Sequence, residues 1–346
     1  MRREGGVPVG GGVPSAMADP PGYVLRTSMR VVIVCPVPAR SRMGNRVTAL
    51  RWQRVLRSLG HRVRIVSSLG ATRPDLVGAL HARKSASAVF ASKKRWPTMP
   101  VVVALTGTDL YRDVAESAEA RRALRAADRL VVLQSHGVVQ LPREVRSKAR
   151  VILQSCEPLP WRPAKFARGF VACVLGHLRD EKDPLRAAIA VRDVSSENRL
   201  RVVQAGDALT PAWTRAARAE MKSNARYRWI GAVSRGDAKR LVARSHVMVL
   251  SSVMEGGANV ISEACVVGTA IVASRIPSTV ALLGRDHPGL FPTGNSGALR
   301  KLLLRCEREP AFLHELESRS RAAAPRFDPR SEGAAWKRLV AELEVE

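Results

Sequence analysis

A chain of 346 residues is too long for one ordinary hydrophobic core and suits two α/β domains. Hydrophobic residues at 46% and charged residues at 25% exclude a disordered chain, and no run of about eighteen apolar residues is present to form a membrane span. The formal net charge of +27 points to phosphorylated partners, yet the basic residues are spread out and aromatics reach only 4%. With no zinc-finger spacing, RNP-like segment or zipper heptad, nucleic-acid binding is not expected.

Residues 1–28 are rich in Gly and Pro, lack the apolar core of a signal peptide and read as a disordered tail. From Met29 short β-rich runs alternate with helical stretches, which signals a parallel sheet covered by helices. The first strand is read over 31–36, followed by a helix from about Val47 to Leu59 closed by Gly60. Further strands are expected over 62–68, 75–82, 101–107, 129–135 and 149–155. A Pro-rich break at 156–166 then separates a second unit, in which the pattern restarts. Its strands are read over 170–176, 199–206, 226–233, 246–252 and 269–275, with helices from about Pro184 and over 211–223 and 235–244, and another bearing Glu263.

The expected organisation is therefore two Rossmann-like, doubly wound domains facing a central cleft, residues 29–160 and 161–325. A short C-terminal helix over 327–344, within a last segment 326–346, is expected to pack back on the first domain. Ligands of such sheets bind beyond the carboxyl ends of the strands.

Two motifs lie at those ends in the second unit. In LSSVMEGGANVISEAC (250–265) a strand runs into a Gly-rich turn with Glu255 at its lip and then into a helix carrying Glu263. A helix starting near Ala258 would present the free N–H groups of Gly257, Ala258 and Asn259 to an anion, and Gly256 and Gly257 would let a phosphate approach the main chain. Glu263 could accept hydrogen bonds from hydroxyls attached to that phosphate. Any strand–turn–helix unit shows part of this pattern, so context decides. That context is GHLRDEKDP (176–184), where Gly176 turns the chain and Arg179 and Lys182 can point together at a diphosphate. A helix start with Pro184 at its first position and two solvated cations would account for the same residues.

Cys35, Cys156, Cys173, Cys265 and Cys306 are far apart without a CxxC pair and read as reduced core thiols of a cytoplasmic protein. No HxH, HExxH or Asp-x-Asp pattern occurs, so neither a metal nor a cofactor is expected. In the first unit His81 and Asp109 are the general-base candidates at strand ends. Gly44, Asn45, Arg46, Arg83, Lys84, Thr106, Gly107, Thr108 and Asp109 could cradle an anionic acceptor. Arg46 or Arg83 taken singly is more simply a solvated helix residue.

The GHLRDEKDP loop with the Glu-x7-Glu arrangement of Glu255 and Glu263 resembles the donor site of GT-B, family-4-like glycosyltransferases. That resemblance implies a metal-independent GT-B fold in which Arg179 and Lys182 hold the donor diphosphate. It gives Glu255 with Gly256 to Asn259 the transferred sugar, and Glu263 the ribose. GNRVTALRWQRVLRSLGHRV (44–63), DLVGALHARKSA (75–86), VVVALTGTDLYRD (101–113), LRDEKDPLRAA (178–188) and SSVMEGGANVISEA (251–264) further resemble the selenosugar synthases of selenoneine biosynthesis. This implies transfer of a sugar from a UDP-sugar, typically UDP-N-acetylglucosamine, to selenophosphate, with release of UDP and phosphate. A GT-B enzyme with a hydroxyl or lipid acceptor is the alternative, disfavoured by the absence of an amphipathic helix for stable membrane association. A basic nucleic-acid-binding protein without catalysis is the second, disfavoured because Glu255 and Glu263 would repel a phosphate backbone.

Overall fold

The computed structural model describes residues 28–41 and 43–345. Apart from Ser28, the tail expected over 1–28 lies outside the described residues. Among the described residues there are two six-stranded sheets, and every recorded strand pairing is parallel. The first has the order β2-β1-β3-β4-β5-β6, from β1 (Arg30–Val34), β2 (Arg62–Val66), β3 (Leu76–Leu80), β4 (Val101–Leu105), β5 (Arg129–Val132) and β6 (Ala149–Val151). Helices α1 (Gly44–Ser58), α2 (Ala86–Arg95), α3 (Val114–Glu116), α4 (Ala118–Ala126) and α5 (His136–Val139) connect them.

Both faces of this sheet are covered, which is why its central strands β3 and β4 read as unbroken apolar runs, while the edge strand β2, RVRIV, alternates. Val77, Val101, Val103 and Leu105 pack with α2 and α4 through Val89 and Leu124, while Val31, Ile33, Leu76 and Val102 pack with α1 through Trp52 and Leu56.

The second sheet has the order β12-β11-β10-β7-β8-β9. Its strands are β7 (Phe170–Leu175), β8 (Leu200–Ala205), β9 (Tyr227–Trp229), β10 (Val247–Leu250), β11 (Ala270–Ser274) and β12 (Leu290–Phe291). Around it lie α6 (Arg186–Val191), α7 (Pro211–Ser223), α8 (Arg235–Arg244), α9 (Asn259–Val267), α10 (Pro277–Leu283), α11 (Ser296–Arg308) and α12 (Pro310–Ala323). Elements α10, β12, α11 and α12 lie outside those expected from sequence. Their start signals are Pro277 and Pro310 in the first turns of α10 and α12, and Asn295, whose side chain accepts from the Ala298 N–H and caps α11. The helix read from Pro184 starts at Arg186, because Asp183 adopts a left-handed conformation after a 3-10 turn over Asp180–Lys182.

The C-terminal helix α13 (Pro329–Val345) spans 17 residues, longer than the short helix read from sequence, and does return to the first domain. Trp336 meets Trp52 of α1 edge to face at 4.7 Å, and Leu339, Val340 and Leu343 join the same core. Trp336→Ala should therefore cost about 3–5 kcal/mol. A thermal denaturation midpoint unchanged by that substitution would contradict this packing.

Strand order places the ligand crevices. Each sheet reverses direction once, between β1 and β3 in the first and between β7 and β10 in the second. Loops leaving adjacent strands in opposite directions there open a gap at the carboxyl ends. The loops after β7 and β10 are the two motifs singled out in the second unit. Those after β1 and β3 carry Gly44 to Arg46 and His81 to Lys84.

Candidate functional site

The loops after β7 and β10 are bound into one structure. The Ser251 hydroxyl donates to the main-chain oxygens of Lys182 and Asp183 at 3.2 and 2.9 Å, and the Val253 N–H donates to the Glu181 carbonyl at 3.0 Å. Across this junction the Lys182 ammonium contacts Glu255 Oε1, which also accepts from Ser252 Oγ at 2.7 Å. Arg179 lies 3.8 Å from Glu181, whose other oxygen faces Arg112 of the first domain at 3.5 Å. The two cations thus sit on one loop, each held by an acid rather than freely solvated. Behind them Gly176 is pressed against the loop after β8, since a Cβ on Gly206 would fall 1.9 Å from the Gly176 oxygen.

Helix α9 starts at Asn259, as the motif required. Its first turn contains no acid, and Ala258 at its N-cap supplies no side-chain hydrogen bond. That leaves a helix end whose partial positive charge suits an anion. Ala258, Asp183 and His81 are the non-glycine residues with positive φ among the described residues, and all three lie in loops bordering the crevices. Conformations of this kind persist only where the surroundings over-determine them.

Gly256 and Gly257 serve a purpose beyond the phosphate approach expected of them. A Cβ on Gly256 would lie 2.3 Å from the Thr106 carbonyl oxygen and 2.7 Å from the Gly107 nitrogen, and one on Gly257 would lie 2.5 Å from Leu133 Cβ. The bare α-carbon of Gly256 faces the first domain's main chain and that of Gly257 faces the Leu133 side chain, so the absence of side chains lets the two domains meet. Glu263, partly buried on α9, has no hydrogen-bond or ion-pair partner among the described residues. Burial pushes its carboxyl pKa up, and Arg235, Arg51 and Lys239 oppose the rise.

On the first-domain side Asn45 and Thr106 are joined, Thr106 Oγ1 donating to Asn45 Oδ1 at 2.7 Å. Gly44 begins α1 in open space, Arg46 has a buried Nε without a protein partner, and Arg83 and Lys84 are exposed. Gly107 and Thr108 continue the loop after β4 at the cleft edge.

Asp109 is fully buried, and its carboxylate accepts from the N–H groups of Ala82 (3.1 Å), Thr106 (3.0 Å) and Gly107 (2.8 Å). These bonds tie the loop after β3 to the loop after β4 and use the oxygens a general base would need, which argues against Asp109 as that base. His81 is 3% exposed, and its Nδ1 accepts from the Lys84 N–H at 3.3 Å, so the ring proton sits on Nε2, 3.6 Å from Asp113. Burial depresses the imidazole pKa, with Asp109 opposing. A neutral ring with its acceptor nitrogen occupied is not placed to take a proton from a substrate.

Several residues at the cleft were not singled out from sequence. Arg112 and Asp113 extend the charged chain from Arg179 and Glu181 to Arg83, with Arg83 3.8 Å and Arg112 3.6 Å from Asp113. Tyr111 accepts from Gln134 at 2.9 Å, and burial lifts its hydroxyl pKa to about 12. Arg51 of α1 crosses the cleft to Asn259 Oδ1 at 2.7 Å. Its signal was present, since an arginine flanked at helical spacing by Thr48 and Val55 lies on the buried stripe of α1.

All five cysteines are free and buried. Among the described residues no group of three His, Cys, Asp or Glu could hold a metal, and no helix is long and apolar enough to cross a membrane.

Residues 157–324, which span the second domain, match the family model of the glycosyl transferases group 1. The whole architecture is similar to HepE of Anabaena in complex with UDP and glucose, with a TM-score of 0.74 at 15% identity over 91% of this chain and 100% of that one. It is also similar to sucrose-phosphate synthase from Thermosynechococcus elongatus, with a TM-score of 0.76 at 14% identity over 92% and 100%. A glycosyltransferase from Rickettsia africae matches with a TM-score of 0.67 at 14% identity over 93% and 99%. The fold is GT-B, with two Rossmann-like domains across a cleft.

Proposed function

We propose that this chain is a metal-independent GT-B glycosyltransferase that moves the sugar of a UDP-sugar, UDP-N-acetylglucosamine in the first instance, onto selenophosphate in selenoneine biosynthesis. The donor half of the reading is supported by the match of residues 157–324 and by UDP in a neighbour of the same fold. Arg179, Lys182 and the start of α9 would receive the departing diphosphate. Gly176 would shape the loop carrying the two cations, Glu255 with Gly256 to Asn259 would hold the sugar, and Glu263 the ribose hydroxyls.

One observation carries the acceptor half. The two base candidates of the first domain are withdrawn, Asp109 onto main-chain amides and His81 into a buried state, while Arg46, Arg83 and Lys84 follow the carboxyl ends of β1 and β3. A hydroxyl acceptor needs a proton removed during attack. Selenophosphate arrives as an anionic nucleophile and needs cations instead. In the balanced reaction the C1–O bond to UDP breaks as the C1–Se bond forms, and water then cleaves Se–P to give the 1-selenosugar and phosphate. Catalysis is positioning plus stabilisation of the leaving group. A cytoplasmic setting belongs to the same proposal.

Anaerobic incubation with UDP-N-acetylglucosamine and selenophosphate, followed by mass spectrometry, should yield a selenium-containing sugar together with UDP. UDP binding without any such product would remove the acceptor assignment and leave a glycosyltransferase with another acceptor.

A further inference from the structure

Arg51 is 3% exposed although it carries a full charge. Burying such a group at a domain boundary is costly unless it is paired and hydrogen-bonded. Its Nη2 donates to Asn259 Oδ1, more than two hundred positions away in the chain, whereas its Nη1 is buried with no protein partner. Around it lie Glu332 of α13, Glu263 of α9 and Arg235 of α8. Glu332 is itself engaged by the N–H and hydroxyl of Ser155, at the end of the first domain. Glu263 is faced by Arg51 from the first domain and by Arg235 and Lys239 from α8, with Cys156 of the linker and Cys173 of β7 nearby.

These contacts span the two domains. Arg51 stands on α1 and Asn259 on α9, and the same interface brings Gly256 against Thr106. A site built for stability alone would satisfy both guanidinium nitrogens. Here one is committed to the first residue of α9 and the other is buried without a protein partner.

We infer that Arg51 is a positioning residue of the donor site supplied by the opposite domain, fixing the start of α9 through Asn259, so that the grip on the nucleotide draws on a residue of each domain. The inference rests on the donor reading given under Proposed function. Glu263 accepts hydroxyl hydrogen bonds best as a carboxylate, so binding that depends on it weakens as pH falls through its pKa. Removing one of its three cations raises that pKa and moves the weakening to higher pH.

The test is calorimetric titration of the full chain with UDP across the acidic to neutral range. Comparison with Glu263→Gln isolates the part of the pH dependence that belongs to Glu263. In Arg51→Met, UDP affinity should fall about tenfold at neutral pH, equivalent to about 1.4 kcal/mol, and the Glu263-dependent loss should begin at higher pH. Arg51→Lys keeps the charge and loses the planar fork, so it should restore the wild-type pH dependence while affinity stays reduced. This second variant also carries the test if the methionine variant does not fold. Unchanged affinity and pH dependence in the folded variants, with Glu263→Gln still impaired, would overturn the inference and leave the donor reading standing. Absence of UDP binding by the unaltered chain would overturn both.

Discussion

Lys182→Ala should lower kcat by about 10²–10³-fold, the loss expected when one preorganised donor to a developing oxyanion is removed. Lys182 follows β7 on a loop whose main chain is tied to Ser251 and to the turn after β10, so its ammonium is held in place before substrate arrives. Glu255, 8% exposed, and Ser252 complete the support. The substitution also strands the Glu255 carboxylate in a nearly dry site, and some thermal stability should be lost with it. The two effects separate under saturating substrates. A purely structural ion pair would leave the folded fraction turning over at the normal rate, whereas the proposed role makes that fraction slow. Lys182→Arg, which keeps the positive charge, should recover part of the turnover.

Gly256→Ala should act through geometry alone. The added methyl would fall 2.3 Å from the Thr106 carbonyl oxygen, a main-chain atom that cannot rotate out of the way. The cleft would therefore stay open by a fraction of an ångström to an ångström, and misplacement on that scale can cost about 10²-fold in rate. Circular dichroism should be unchanged, because the clash lies between the domains and not within either. Gly333→Ala on α13, where a Cβ meets nothing within 4 Å, is the control and should retain activity. Full activity in Gly256→Ala would show that the closed arrangement is not the reacting one.

Much of this architecture was legible because parallel strands covered on both faces have no polar alternation to hide them. VVVAL of β4 and AIVAS of β11 are buried at every position and stand out as β-branched, apolar runs. The two second-domain loops could be read because Gly176, Arg179 and Lys182 fall in one short run and Glu255 and Glu263 in another, each following a strand. Residues 276–326 carry helix-start signals at Pro277, Asn295 and Pro310 but neither strand alternation nor a site motif, so their elements were not legible.

What stayed hidden depends on contacts between distant segments. Nothing local to Gly256 announces that its missing side chain makes room for Thr106, and nothing local to Arg51 names Asn259 as its partner. Asp109 and His81 were read as chemical groups because Asp and His at strand ends so often are. Only the three-dimensional positions of the Ala82, Thr106 and Gly107 amides show that Asp109 holds two loops together.

A crystal structure of the chain with UDP bound tests the central claim most directly. The β-phosphate oxygens should lie within hydrogen-bond reach of Arg179, Lys182 and the amides at the start of α9, with the ribose hydroxyls on Glu263. A diphosphate bound elsewhere, with Lys182 still closed on Glu255 and Glu263 facing only water, would contradict it.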